Sequence, residues 1–244
     1  MIPLLIGAVA LFLAGLLQAC TGFGLALMAA PCLLLMFEPT LVTPTLVSLS
    51  TVSTFLIAVH GRRHIRRDLV VLLAIGGVSG FPFGVWTLKS MDPSLLKVGV
   101  GAFVTLFALA LYAGWSRPLR HPRRAYVPVG LAGGFLGGAT SMGGPPVILF
   151  LANQQMPKDI FRSSIACYFL TVNCFGLAMY GVSGLLTWDV ARSVVVLLPS
   201  MLIGTYVGTH VSARLDEAQF RRFAALAIVF MGVVLFVTNL RAVF

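Results

Sequence analysis

Two short runs interrupt long apolar stretches of this chain and have the residue types to hold a ligand. The first is Thr21, Gly22, Phe23 and Gly24, preceded by Gln18. The second is Thr140, Ser141, Met142, Gly143, Gly144, Pro145 and Pro146. Asn153 follows the second run, and Asn173 lies in the next apolar stretch. Glycine is conformationally permissive and proline lacks an N–H, so a Gly-Gly-Pro-Pro tip cannot continue a helix. A helix that stops there exposes backbone N–H groups, and a half-helix starting there aims a partial positive charge at the gap. Threonine and serine hydroxyls add donors, and this set suits an anion. The expected binding residues are Gln18, Thr21, Gly22, Gly24, Thr140, Ser141, Gly143, Gly144, Pro145, Asn153 and Asn173.

Ionisable groups within the apolar stretches, the usual mark of a cation or proton path, are nearly missing. Glu38 lies at a segment end beside Pro39. Asp68, Asp92, Asp159, Asp189 and Asp216 lie at segment edges, where an aspartate caps a helix. No buried carboxylate pair offers a relay, which leaves room for an anion carrier built from backbone and hydroxyl donors. Arg62, Arg63, Lys158 and Arg162 stand where they would attract anions to the inner mouth, although topology signals of this kind need no further role. No nucleophile elbow, phosphate-binding loop or zinc-protease signature is present, so no catalytic residue, metal or cofactor is expected. The cysteines lack CxxC spacing and read as small apolar positions.

The elements that carry these residues must sit in lipid. Of the 244 residues, 59% are hydrophobic and 10% charged, against about 25% charged in a soluble domain. The mean hydropathy is +0.99. Seventeen Lys and Arg face seven Asp and Glu. The basic residues occupy short loops between apolar runs, the pattern of topology determinants near anionic headgroups rather than of nucleic-acid binding. The expected class is all-α, a polytopic integral membrane protein of the cell (inner) membrane. Spans are expected over 41–59, 69–88, 94–114, 163–182, 190–213 and 223–240. Basic loops are expected over 60–68 and 115–124.

The layout recurs. Gly22 and Gly24 after Thr21 answer Ser141 and Gly143 after Thr140, Asp68 answers Asp189, and Gly80 with Gly84 answers Gly204 with Gly208. Residues 1–124 and 125–244 therefore read as two homologous membrane repeats of one integrated domain, a common plan for secondary transporters. If each broken segment is re-entrant, the repeats are inverted. Both Arg-rich loops, Lys158, Arg162 and the 214–222 turn then share one side, as the positive-inside rule favours. If each broken segment crosses once, the repeats are parallel. The Gly80/Gly84 and Gly204/Gly208 pairs read as close-packing faces. Such faces can pack within one chain or between two, so a homodimer stays open.

These residues carry a resemblance. Two apolar halves open with Gly-rich breaks, the second spelling Gly137-Gly138-Ala139-Thr140-Ser141-Met142-Gly143-Gly144-Pro145-Pro146, and an Arg-rich loop ends in Asp68. Over essentially its whole length the chain resembles the TauE/SafE family of membrane transporters, the sulfite exporter group. The resemblance implies export, or sometimes uptake, of a small anion such as sulfite, sulfoacetate or another sulfonate. The expectation is a secondary transporter working by alternating access, with a small anionic substrate and the bilayer as partners and no nucleic acid. A passive anion channel and a non-transporting membrane scaffold are the alternatives.

Overall fold

The computed structural model describes residues 2–21, 23–112, 122–152, 154 and 156–211. The described residues form helices and no strands. In order they are α1 (Ile2–Thr21), α2 (Leu25–Leu34), α3 (Pro39–His60), α4 (Arg67–Ser90), α5 (Pro93–Tyr112), α6 (Pro122–Thr140), α7 (Gly144–Ala152), α8 (Lys158–Val182) and α9 (Trp188–Val211), with a 3-10 turn at Arg62–His64. By length and composition, four of the described helices can cross a membrane: Pro39–His60, Arg67–Ser90, Asp159–Val182 and Trp188–Gly208. Ile6–Ala19, Leu25–Leu34 and Pro93–Phe107 are shorter apolar helices. The 214–222 turn, the span expected over 223–240 and most of the second basic loop lie outside the described residues.

Local chemistry explains the boundaries. Prolines stand at the first position of α3, α5 and α6, where a missing N–H costs nothing. Asp92 Oδ1 accepts from the N–H groups of Ser94, at 2.8 Å, and Leu95, at 3.3 Å, and so caps α5. Thr187 takes the same role at α9, accepting from Val190 N–H. Within α3 the hydroxyls of Thr45, Ser48, Thr51 and Thr54 each donate to the carbonyl four residues back. That lets a hydroxyl-rich helix lie in an apolar medium. The basic loop expected over 115–124 ends before residue 122. Arg123 and Arg124 fall inside α6 rather than in a loop, because Pro122 opens the helix ahead of them.

Glycines set the helix pairing. A Cβ at Gly76 would strike the Val127 carbonyl, one at Gly80 the Leu131 carbonyl, and one at Gly84 the Phe135 carbonyl. Residue numbers rise together, so α4 and α6 run parallel in backbone contact. α9 lies on α1 in the same way, with Gly204 against Phe12 and Gly208 against Leu16.

The ends of the helices define two faces. Arg66 N–H donates to Ser164 Oγ at 3.0 Å, and Gly61 packs on Ser163, so the basic turn is pinned to the start of α8. At the other face Lys89 Nζ donates to the Ser183 carbonyl at 2.9 Å, joining the ends of α4 and α8. α4, α6 and α8 therefore start at the basic face, and α1, α3 and α9 start at the opposite one.

Both broken segments fold back. Tyr126, near the start of α6, meets Phe150, near the end of α7, with ring centroids 5.5 Å apart. A Cβ at Gly133 would lie 2.9 Å from Val147. α7 thus returns along α6 to the basic face. On the other side a Cβ at Gly7 would lie 3.2 Å from Leu33, so α2 returns along α1. The two hairpins enter from opposite faces and bring their tips toward each other.

Candidate functional site

The first break ends α1 and starts α2. Gly24 holds φ 110 and ψ −2, a left-handed conformation open to glycine, and no side chain caps the helix that follows. The first helical bond runs from Met28 N–H to the Gly24 carbonyl at 3.1 Å. The N–H groups of Leu25, Ala26 and Leu27 precede it and have no intrahelical acceptor.

The second break is built differently. Ser141 N–H still bonds the Gly137 carbonyl at 2.9 Å, closing the last turn of α6. Ser141 itself has φ 61, and it is the residue other than glycine with positive φ among those described. Left-handed backbone in a residue with a Cβ stores strain, which persists where the surroundings enforce it. Gly143 follows, and a Cβ there would strike the Gly133 carbonyl. Close approach of two backbones dictates glycine here. α7 then starts at Gly144. Pro145 and Pro146 are its second and third residues, so they open the helix and do not form the tip of the break, a correction to the sequence reading. α7 therefore presents fewer N–H donors than α2, chiefly those of Gly143 and Gly144.

Two buried tyrosines of α8 bond to α6, one at its end and one at its middle. Tyr180 Oη donates to the Gly138 carbonyl at 2.8 Å, and Tyr168 Oη donates to the Gly130 carbonyl at 3.3 Å. Carbonyls in the last helical turns lose their helical partners, and Gly138 finds its replacement here. Phe81 of α4 lies over Gly176 and packs edge-on against Tyr180, with centroids 5.4 Å apart. α4, α6 and α8 are locked together behind the second break.

In front of the breaks lies a cavity of about 40 Å³. Gln18, Gly24 and the first residues of α2 line one side, and Ser141, Gly143 and Gly144 line another. Ser50 of α3 and Asn173 of α8 close it, with Asn173 Nδ2 donating to Ser50 Oγ at 3.3 Å. Ser50 and Asn173 lie near the middle of their helices, so the cavity sits deep in the bundle. Gln18 is 2% exposed and its Oε1 has no hydrogen-bond partner. The lining contains no charged side chain among the described residues. Its electrostatics come from two helix N-termini, each worth roughly half a positive charge, and from amide and hydroxyl groups.

Of the residues expected from sequence, the structure brings Gln18, Gly24, Ser141, Gly143, Gly144 and Asn173 to this one cavity. Thr140 does not join them: its hydroxyl donates to the Leu136 carbonyl at 2.7 Å and accepts from Met142 N–H. Pro145, the second residue of α7, does not line the cavity either, although Gly144 before it does. Gly22, Asn153 and the side chain of Thr21 lie outside the described residues. Ser50, Gly133, Gly137 and Phe169 line the cavity and were not singled out from sequence. The glycine run ahead of Ser141 was the signal available for Gly133 and Gly137. Among the described residues no group of His, Cys, Asp and Glu is placed to hold a metal ion.

A probable sulfite/organosulfonate exporter TauE from Cupriavidus necator is 27% identical over 245 residues, covering 95% of this chain and 93% of that protein. No solved structure matches the chain. The sequence pattern of the sulfite exporter TauE/SafE family matches residues 7–235. The chain thus belongs to the sulfite exporter TauE/SafE family, a family of membrane transporters and not of enzymes.

Proposed function

We propose that this protein is a secondary transporter of the cytoplasmic (inner) membrane that exports a small oxyanion, sulfite or a short sulfonate, by alternating access. The observation that carries the reading is the convergence of two half-helix N-termini, of α2 and α7, on one uncharged polar cavity from opposite faces. Helix N-termini suit anions, and discontinuous helices meeting at mid-depth are the transporter form of that site. A cavity needs roughly 10–15 Å³ to admit a first water, so about 40 Å³ leaves room for a small ion, and a longer sulfonate needs the site to widen. The relative from Cupriavidus necator, named for sulfite and organosulfonate, points to the same substrate class.

Residues 1–124 and 125–244 are read as inverted repeats around this site, and the basic face as the cytoplasmic one. Export of a monoanion from a negative cytoplasm gains about 2.3 kcal/mol per 100 mV. An uncharged site needs no coupling cation to complete it. Purified protein in liposomes preloaded with sulfite tests this. Saturable efflux with counterflow, driven by the membrane potential alone, is expected. Unsaturable flux without counterflow would show a channel, and no flux would remove the transport reading.

A further inference from the structure

Among the described residues, three buried side-chain atoms lack a hydrogen-bond partner: Gln18 Oε1, Ser53 Oγ and Arg162 Nε. A buried polar group left unpaired costs stability, so each requires a reason. Their positions form a series. Gln18 lines the central cavity. Arg162 lines a second cavity of about 780 Å³ between α3, α8 and α9 at the basic face. Ser53, fully buried, lies on α3 between Ser50 of the first cavity and Ile57 of the second.

What separates the cavities is thin. Ile57 and Ala58 of α3 pack on Ala166 of α8, with Leu170 beside them, as a small apolar cluster apart from the main core. On α8 this layer sits between Arg162 and Asn173. The second cavity has apolar walls, including Leu56 and Leu202, and a basic rim of Arg162, His60, His64 and His210 faced by Asp159. Arg62 and Arg63 flank it in the chain.

We propose that the second cavity is an anion-collecting vestibule with Arg162 as its binding group. The Ile57–Ala58–Ala166–Leu170 layer is the inner gate, Ser53 is the polar step behind it, and Gln18 receives the anion in the central site. The vestibule's ligand is the small oxyanion in transit, so the inference rests on the transporter reading above. It supplies a reason for all three unpaired atoms at once: each meets the anion, or water moving with it, when the layer parts.

Thiol accessibility tests this in the full-length chain. Ser53→Cys is nearly isosteric, and mass spectrometry separates its label from those on the native cysteines. An anionic thiosulfonate reagent is added to inside-out and to right-side-out vesicles, with a neutral maleimide in parallel. Modification at position 53 from the basic face is expected, and adding Arg162→Gln should slow the anionic reagent several-fold while leaving the neutral one unchanged. Leu56→Cys, on the exposed part of the vestibule wall, is the control for folding and access. Reaction at 56 without reaction at 53, reaction at 53 from the opposite face only, or equal slowing of both reagents would overturn the proposal. So would a tightly retained phospholipid that blocks the cavity until it is extracted. Accessibility is read without any transport, so a protein that moved no anion would still answer, and sulfite efflux by Ser141→Leu tests the other reading separately.

Discussion

Gly24 and Ser141, one at each break, both hold left-handed backbone, at φ 110 and φ 61, and both line the same cavity. Gly24 opens α2 and Ser141 closes the last turn of α6, although the two hairpins enter from opposite faces. At Gly24 the conformation is free, whereas at Ser141 it is strained. A side chain retained under strain is what the proposed site requires at the second break.

Ser141→Gly separates the two roles of that residue. Left-handed backbone costs a residue with a Cβ roughly 1–2 kcal/mol, and glycine gives back about 0.4–1 kcal/mol through the unfolded chain. The variant should unfold at the same temperature as the native protein or slightly above it. Its affinity for sulfite should fall several-fold, read by titration of the purified protein.

Gln18→Leu should behave in the same sense for another reason. An unpartnered buried acceptor costs about 1–3 kcal/mol, and Gln18 Oε1 has no partner. Replacing it with leucine should preserve or raise stability in detergent while weakening anion binding. Loss of both together would mean that Gln18 serves the fold.

Tyr180→Phe keeps the edge-on packing against Phe81 and deletes one hydroxyl. The Gly138 carbonyl then loses its 2.8 Å donor, at a cost of about 1–3 kcal/mol. Thermal unfolding should show the loss, and it should be larger than for Thr87→Val, whose hydroxyl is exposed and returns to its own helix.

The glycine contacts predict a graded pair. A Cβ at Gly80 strikes the α6 backbone, whereas one at Gly99 meets nothing within 4 Å. Gly80→Ala should destabilise by about 1–3 kcal/mol as overpacking does. Gly99→Ala should stabilise by roughly 0.5–1 kcal/mol as a helical alanine does. Paired melting curves give the comparison.

Much of this was legible in the sequence, and the exceptions have physical causes. The breaks announce themselves because glycine, serine and proline interrupt runs that are otherwise apolar. Gly80 and Gly204 announce packing faces because in lipid small residues let helices touch. Pro145 misleads because proline both ends helices and starts them; with Gly144 ahead of it, it starts one. Thr140 misleads because a threonine in a last helical turn has a carbonyl four residues back within reach, and takes it. Ser50 was unreadable. It is one of several hydroxyl residues on α3, and only the crossing with α8 at Asn173 selects it. The unpaired atoms of Ser53 and Arg162 are likewise tertiary facts without a local signature.

The central claim is that the two breaks jointly bind a small oxyanion. It is tested most directly by thermal unfolding of the purified protein across a panel of sulfite and sulfonates, with Ser141→Leu as the control. Saturating ligand at about a hundred times Kd stabilises by about 2.7 kcal/mol. A rise in Tm with sulfite that disappears in Ser141→Leu is the expected result. No rise with any sulfur oxyanion, or the same rise in the variant, would contradict the account.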